Sequence, residues 1–596
     1  MVNFITAIRS TDISEPISGM GRCWPPTALS VIAAAGIAGV ALTSCGDFLD
    51  RPTEDSYTTE GFYQNASECY TGVNYLYNLP WSDLLDSWYS ELENAAGNQY
   101  TGNNPFVLLS IPRDNSSLAK MVRTQWAAIG NANIVYNNIK GGNAPQDAKD
   151  ATMGECLVWK ALGYFNLVRM LGPIPIVHDN SADIGSGIYA DKYCVETADA
   201  YEYTIMTLER AMELLPKKAD AGRIDYYSAE GLLAKVYLAK SGLNMNGSRN
   251  TDDLAKAAAY AKDVIDNSGR TLMPNYSDIF RGSNNFSDES LIAWHFYGSW
   301  NPYGAGNQLQ SVLGMNGFST FLSWGDWTVP SIDLMEAFGV SPLDNPETRS
   351  DADSRRQATI MMAGDKYDYF WRDKGGFDYL RFLYDADYNK NSGGKLNSGT
   401  GGNVVKHLVG NSADHQAELG YPDTNQQATG LSEHVLRLAD VYLIYTEAVI
   451  GNNESTTNPD AIDAFYAVRS RSVRSLSRPS SVSFEDVWKE RRLELAYEGD
   501  RWFDYVRLSY YNPTRALNEL KNMKRSFFNN LDDLYKGYHE GNGWNVTAEM
   551  TYDQNPPVLS PDASIFRFPM PEVDVVYNPN LLKDPIHVDV RSEYSY

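Results

Sequence analysis

The sequence predicts a mainly α-helical protein, a frame of tetratricopeptide-like helix pairs interrupted by one large loop-rich insertion. Three observations carry this. Apolar residues recur at three-to-four spacing in many separate segments, the period of a helix with one buried face. The segments before residue 270 and after residue 433 fall into pairs of roughly 40 to 55 residues, longer than the ~34 of a strict tetratricopeptide unit. The stretch between them, about 275–430, is rich in Gly, Asn, Asp, Trp and Tyr and holds no sustained helical period.

In chain order, the pattern predicts helices over 57–78, 118–139 and 148–171, the last stopped by Gly172-Pro173. Helices over 198–215, 228–240 and 254–265 follow, and the series resumes at 433–450, 460–473 and 484–508. Three pairs result: 118–139 with 148–171, 198–215 with 228–240, and 433–450 with 460–473. Stacked pairs bury a continuous core and leave one long face as a platform. Inside the insertion, Ser290 to Tyr297 reads as a short strand and the Gly-rich run from Ser392 to Gly402 as a loop.

Ala28 to Ser44 is an uncharged, small and apolar run, shorter than the ~20 residues of a stable span. It suits the hydrophobic region of a secretory signal. It ends at Leu42-Thr43-Ser44-Cys45, which resembles the bacterial lipobox and implies cleavage before Cys45 and lipid on that cysteine. The plainer alternative is an ordinary signal followed by an incidental cysteine. Residues 1–44 are thus read as a lipoprotein-type signal peptide. Asp12 and Glu15 are out of character for a signal's start, so Met20 is a candidate true start. Residues 45–596 are read as a single body, with its helical frame over about 57–270 and 433–510 and its ligand region over about 275–430.

Composition narrows the function. There are 50 basic and 75 acidic residues, a formal charge of −25. That argues against nucleic acid, whose phosphates need a basic face, and against electrostatic docking on anionic lipid. Cys69, Cys156 and Cys194 lack metal-ligand spacing; Cys69 and Cys156 fall in helical patterns and read as small buried hydrophobes.

Several motifs then occur in a specific order: WAAIGNANIVYNNI (126–139), GECLVWKALGYFNLVRMLGPIPIV (154–177), RLADVYLIYTEA (437–448), VRSR (468–471), ERRLELAYEGDRWFD (490–504), FPMP (568–571) and NPNL (578–581). With the lipobox, they resemble the SusD/RagB family of Bacteroidetes surface lipoproteins over nearly the whole chain from Cys45. The stretch Cys156-Leu-Val-Trp159 departs from the family's usual Arg and aromatics. The resemblance implies an outer-membrane lipoprotein that is exposed at the cell surface and captures glycans. It also implies a partner, a SusC-like TonB-dependent transporter over which the lipoprotein closes, and a helical fold with a loop-rich ligand region.

The candidate ligand residues are loop aromatics. An indole face stacks on the C–H face of a sugar ring and leaves the hydroxyls free for Asn, Asp, Gln or Arg. Trp81, Trp88, Trp300, Tyr303, Trp324 and Trp327 lie in irregular sequence beside Gly, Asn, Asp and Pro, and the loop 94–104 adds Asn98 and Tyr100. The competing reading for each is a plug that anchors its loop. Trp327 leads into a helical pattern, which favours the plug reading there. Trp126, Trp159, Trp488 and Trp502 fall within helical periods and read as core; Trp294 is open.

No residue set points to catalysis. Glu494 and Glu498 lie four apart beside Arg491 and Arg501. A surface glycosidase would make them acid and base, but an ion-pair network locking helices is the plainer reading, and Glu447 with Arg437 and Arg469 reads alike. Asp351 and Asp353 beside Arg355-Arg356 would suit a structural calcium or an ordinary ion-paired loop; no other cofactor is expected. The seven histidines have no metal spacing. A transporter lid or peptide-binding protein without glycan binding is the remaining alternative.

Overall fold

The computed structural model describes residues 62–186, 191–298, 306–422 and 427–596. The frame consists of helices α1 Ala66–Asn74, α2 Leu85–Ala95, α3 Ser116–Gly141, α4 Gln146–Leu171, α5 Thr197–Leu214, α6 Tyr226–Lys240, α7 Thr251–Asn267, α8 Leu438–Ile450, α9 Pro459–Ser470, α10 Phe484–Glu494 and α11 Arg501–Ser509. Their starts follow local chemistry. Asn115, Asp225, Asn250 and Asn458 each accept a first-turn backbone N–H, and Ser483 with Asp486 forms a reciprocal capping box at α10. Gly172, at φ 77°, ends α4 where Gly-Pro predicts a stop.

The central frame helices pack in series: α3 on α4, α4 on α5, α5 on α6, α6 on α7, α7 on α8 and α8 on α9. Helix α4 is flanked by α1, α3 and α5, so every residue from Ala151 to Leu171 is buried. Helix α7 packs directly on α8 although about 170 residues separate them, so the frame closes across the insertion. The insertion is irregular but has its own aromatic core, which includes Tyr379 and in which Phe318, Phe370, Trp371, Phe377 and Phe382 pack edge to face.

Three predicted helices differ from the structure. The first is shorter, since α1 begins at Ala66 within the expected 57–78. In 433–450 the first five residues are strand: β4 (Glu433–Arg437) pairs antiparallel with β2 (Ser290–Trp294), and the helix starts at Leu438. The strand pairing directs Arg437 into a buried cluster of glutamates, which outweighs local periodicity. The expected 484–508 helix breaks between α10 and α11, where Tyr497 and Gly499 adopt φ 64° and 73° and the Gly499 N–H donates to Glu93 Oε1 at 2.9 Å. The strand at Ser290 stands as expected, with Trp294 buried. Cys69, Cys156 and Cys194 are free and buried. Among the described residues no helix is long and apolar enough to cross a membrane; Cys45 lies outside them.

Candidate functional site

Trp324 and Trp327 sit at the two ends of one 3-10 turn, Gly325–Trp327 with Trp324 capping it. Trp324 is 46% exposed and Trp327 66%. The loop beneath them is pinned by backbone. The Trp324 N–H donates to Ser311 O at 2.9 Å and the Gly325 N–H to Gly314 O at 2.8 Å. A Cβ on Gly325 would run into the Leu313 carbonyl group, so the close approach requires glycine. Between the two tryptophans in sequence, Asp326 accepts the Asn316 N–H at 3.2 Å and an Asn397 Nδ2–H at 3.3 Å. Burial raises its pKa, and those hydrogen bonds partly offset the rise.

Just past this turn the chain forms β3 (Val329–Pro330), which pairs antiparallel with β1 (Gln99–Tyr100), Tyr100 opposite Val329. The Ser331 N–H donates to Asn98 O at 2.8 Å. Two loops more than 220 residues apart in sequence therefore share one edge. Tyr100 is half-buried beside Ser526.

Trp300 and Tyr303 lie outside the described residues. The chain on either side converges: Asn307 exchanges backbone hydrogen bonds with Thr429, both 2.8 Å, and Gly298 lies against Thr429 and Gly430 so closely that a Cβ would not fit. Ser311, which holds Trp324, donates its hydroxyl to Gln427 O at 3.4 Å. Tyr297 is 56% exposed and packs against Tyr421, whose hydroxyl accepts the Gly298 N–H. Sequence patterning singles out Trp300 but neither the exposed Tyr297, which directly precedes the same Gly-Ser-Trp motif, nor the half-buried Tyr421.

Trp81, Trp88 and Asn98 are not at a surface, which corrects their assignment as ligand residues. Trp81 is fully buried, stacks on Trp294 at 5.1 Å and donates Nε1–H to Leu76 O at 2.7 Å. Trp88 is buried against Trp294 and Phe503. Asn98 is fully buried; it donates Nδ2–H to Glu93 Oε2 and accepts from Arg492 Nε. Trp159, Trp488 and Trp502 are core, while Trp126 is only partly buried.

The carboxylates form ion-pair networks. Glu494 meets Arg437 at 3.0 Å, Arg355 at 3.0 Å and Arg471. Burial alone would raise its pKa, but the three guanidiniums outweigh burial and hold it at about 2. Glu498 is likewise at about 2, burial being outweighed by Arg437 and Lys406. Glu494 is buried, Glu498 is largely so, and both are ionised at neutral pH, the reverse of a general acid that must hold a proton and touch substrate. Glu447 pairs with Arg249 and Arg507 rather than with Arg437 and Arg469; Arg469 takes Glu490 instead. Asp353 and Asp351 pair with Arg355 and Arg356 at 2.7 and 2.6 Å, so guanidinium donors take the oxygens a calcium would need. The set Glu196, Asp199 and His587 is close enough to share an ion, but the Val588 N–H and His587 already satisfy Asp199.

A family model described as the SusD family matches residues 299–587. A second, described as starch-binding and associating with the outer membrane, matches residues 90–238. A SusD-like protein of Bacteroides ovatus is 28% identical over 584 residues, covering 95% of this chain and 99% of its own. A crystal structure with a xylogluco-oligosaccharide is 26% identical with a TM-score of 0.73, over 89% of this chain and 99% of that one. A SusD-like carbohydrate-binding protein of Bacteroides fragilis shares the fold at 20% identity and a TM-score of 0.66, over 88% and 100% of the two chains.

Proposed function

The chain belongs to the SusD family, and on that premise we propose that it is a noncatalytic surface lipoprotein that captures glycan and delivers it to a SusC-like TonB-dependent outer-membrane transporter. The observation that carries the reading is the pair of solvent-facing indoles at Trp324 and Trp327, set on a hydrogen-bonded turn that also carries the half-buried Asp326. Stacked sugar rings would lie on the indoles, and their hydroxyls would donate to Asp326. Tyr100, and Trp300 and Tyr303 on the segment flanked by Gly298 and Asn307, are the further contacts. The xylogluco-oligosaccharide held by a relative of similar fold supports a glycan ligand. Cys45 carries the lipid that tethers the chain to the outer membrane, and residues 1–44 are removed.

A glycan panel on the soluble chain starting after Cys45, by affinity gel or calorimetry, tests this. Binding to one polysaccharide class, weakened in Trp324→Ala or Trp300→Ala variants that still fold, is expected. Weak to moderate affinity is expected too, because captured glycan must be released. No binding across a broad panel would overturn capture and leave a lid without glycan affinity. Co-purification with the transporter tests delivery.

A further inference from the structure

We infer that the loop 391–397 forms a second wall of the glycan site and that Lys395, at its tip, is a further ligand contact that donates N–H to sugar hydroxyl and ring oxygens; the inference rests on the capture reading above. The loop is tied to the tryptophan turn at both ends. Asn391 packs so closely on Gly317 that a Cβ there would collide with it, and Gly317 follows Asn316, whose N–H Asp326 accepts. At the other end Asn397 donates Nδ2–H to Asp326 directly, at 3.3 Å. The loop's root is held as well: the Ser392 hydroxyl donates to Leu383 O, and the Leu396 N–H to Asp532 Oδ1 at 2.6 Å. Between these anchors Gly393, Gly394 and Lys395 are exposed.

Consecutive Cα atoms are about 3.8 Å apart, so both exposed indoles spring from backbone within two residues of the carboxylate that Asn397 holds. Lys395 lies two residues before Asn397 on a flexible four-carbon stem. Burial raises the Asp326 pKa, and the Lys395 ammonium is close enough to be among the groups that offset the rise. The ammonium therefore stands within a short oligosaccharide's reach of Trp324 and Trp327. It is also free to donate: among the described residues no carboxylate forms an ion pair with it. Other basic groups around the two loops are committed. Arg492 donates to Asn98 Oδ1 at 2.9 Å and pairs with Asp333 at 2.8 Å. Arg525 is buried and donates to the carbonyls of Asn94 and Ala95 at 2.6 and 2.8 Å, and Lys524 pairs with Glu336. Sugar oxygens need donors as well as acceptors. Ionised Asp326 can only accept, whereas an ammonium only donates.

Xyloglucan, laminarin and starch oligosaccharides, titrated against the soluble chain and its variants, test this. Lys395→Met keeps the stem and removes the donors. It is expected to weaken binding about three- to tenfold, the worth of one hydrogen bond, with an unchanged melting temperature because the side chain is exposed. Lys395→Arg, which keeps cationic donors, is expected to recover most of the loss. Reductive methylation read by mass spectrometry reports the contact itself. Saturating oligosaccharide is expected to protect Lys395 and to leave Lys218, exposed on the connection between α5 and α6, as reactive as before. Unchanged affinity in Lys395→Met, or unchanged Lys395 labelling, under conditions where Trp324→Ala abolishes binding, would overturn this inference and leave capture standing. If none of the three glycans binds the parent chain, both readings fall together.

Discussion

Trp324 keeps nearly half its surface in water, although an indole gains free energy by burial. Removing such a ring costs the fold little. Trp324→Ala and Trp327→Ala are each expected to leave stability within about 0.5 kcal/mol while weakening glycan affinity about tenfold or more. Thermal melts beside affinity gels check this, and an unchanged affinity in both variants would remove these rings from the site. Trp81 predicts the opposite. It is sealed between Trp159 and Trp294, so Trp81→Ala is expected to cost about 3–5 kcal/mol, read as a lowered denaturant midpoint. The difference was partly legible: Trp81, Leu84, Leu85, Trp88 and Leu92 recur at helical spacing, a core signal that the surrounding Asn and Pro obscured. Trp324 and Trp327, in a Gly-Asp turn, carried no such period.

Between elements, stability is set by buried charge. The strand β4, the break after α10 and the segment around Arg355 meet at Glu494 and Glu498. Glu494→Gln leaves guanidiniums without their counter-charge and is expected to destabilise by about 3–5 kcal/mol. The pH dependence has a definite sign. Glu447, Glu494 and Glu498 all titrate at about 2 when folded, below their ordinary value. Their contribution is present above pH 4.5 and is lost as pH falls from there toward 2. Acid unfolding in that window is expected, and a chain equally stable at pH 2.5 and 6 would contradict it. Glu230 acts in reverse. Burial first, and then its contact with Asp263, push its pKa up to about 8. Its contribution is complete below pH 4.5 and is lost as pH rises toward 8. Glu230→Gln is therefore expected to stabilise by about 1–3 kcal/mol at pH 8.5 and to be near neutral at pH 4.5, as denaturant titrations at the two pH values would report.

Across the whole molecule, the insertion and the frame are sewn together by one ion network. Arg355 from the insertion reaches Glu490 and Glu494 of α10, and Glu289 reaches Arg437 and Arg471. A single cooperative calorimetric transition is expected for the wild type. Arg355→Met is expected to lower its temperature, and two resolved transitions in the wild type would show that the insertion unfolds on its own.

Sequence by itself determined the helical frame, because periodic apolar residues and Asn, Asp and Ser caps act within a few residues of chain. The ordered motifs likewise carried the family resemblance that the family models match. Tertiary structure alone decided three things. It turned 433–437 into strand, since pairing with Ser290–Trp294 and the glutamate cluster outweighed local period. It assigned Glu447 to Arg249 and Arg507, since ion-pair partners are chosen by helix packing and not by spacing. And it separated buried from exposed among the tryptophans: burying Trp81 and Trp88 while exposing Trp324 and Trp327 depends on which surfaces meet, which no single segment encodes.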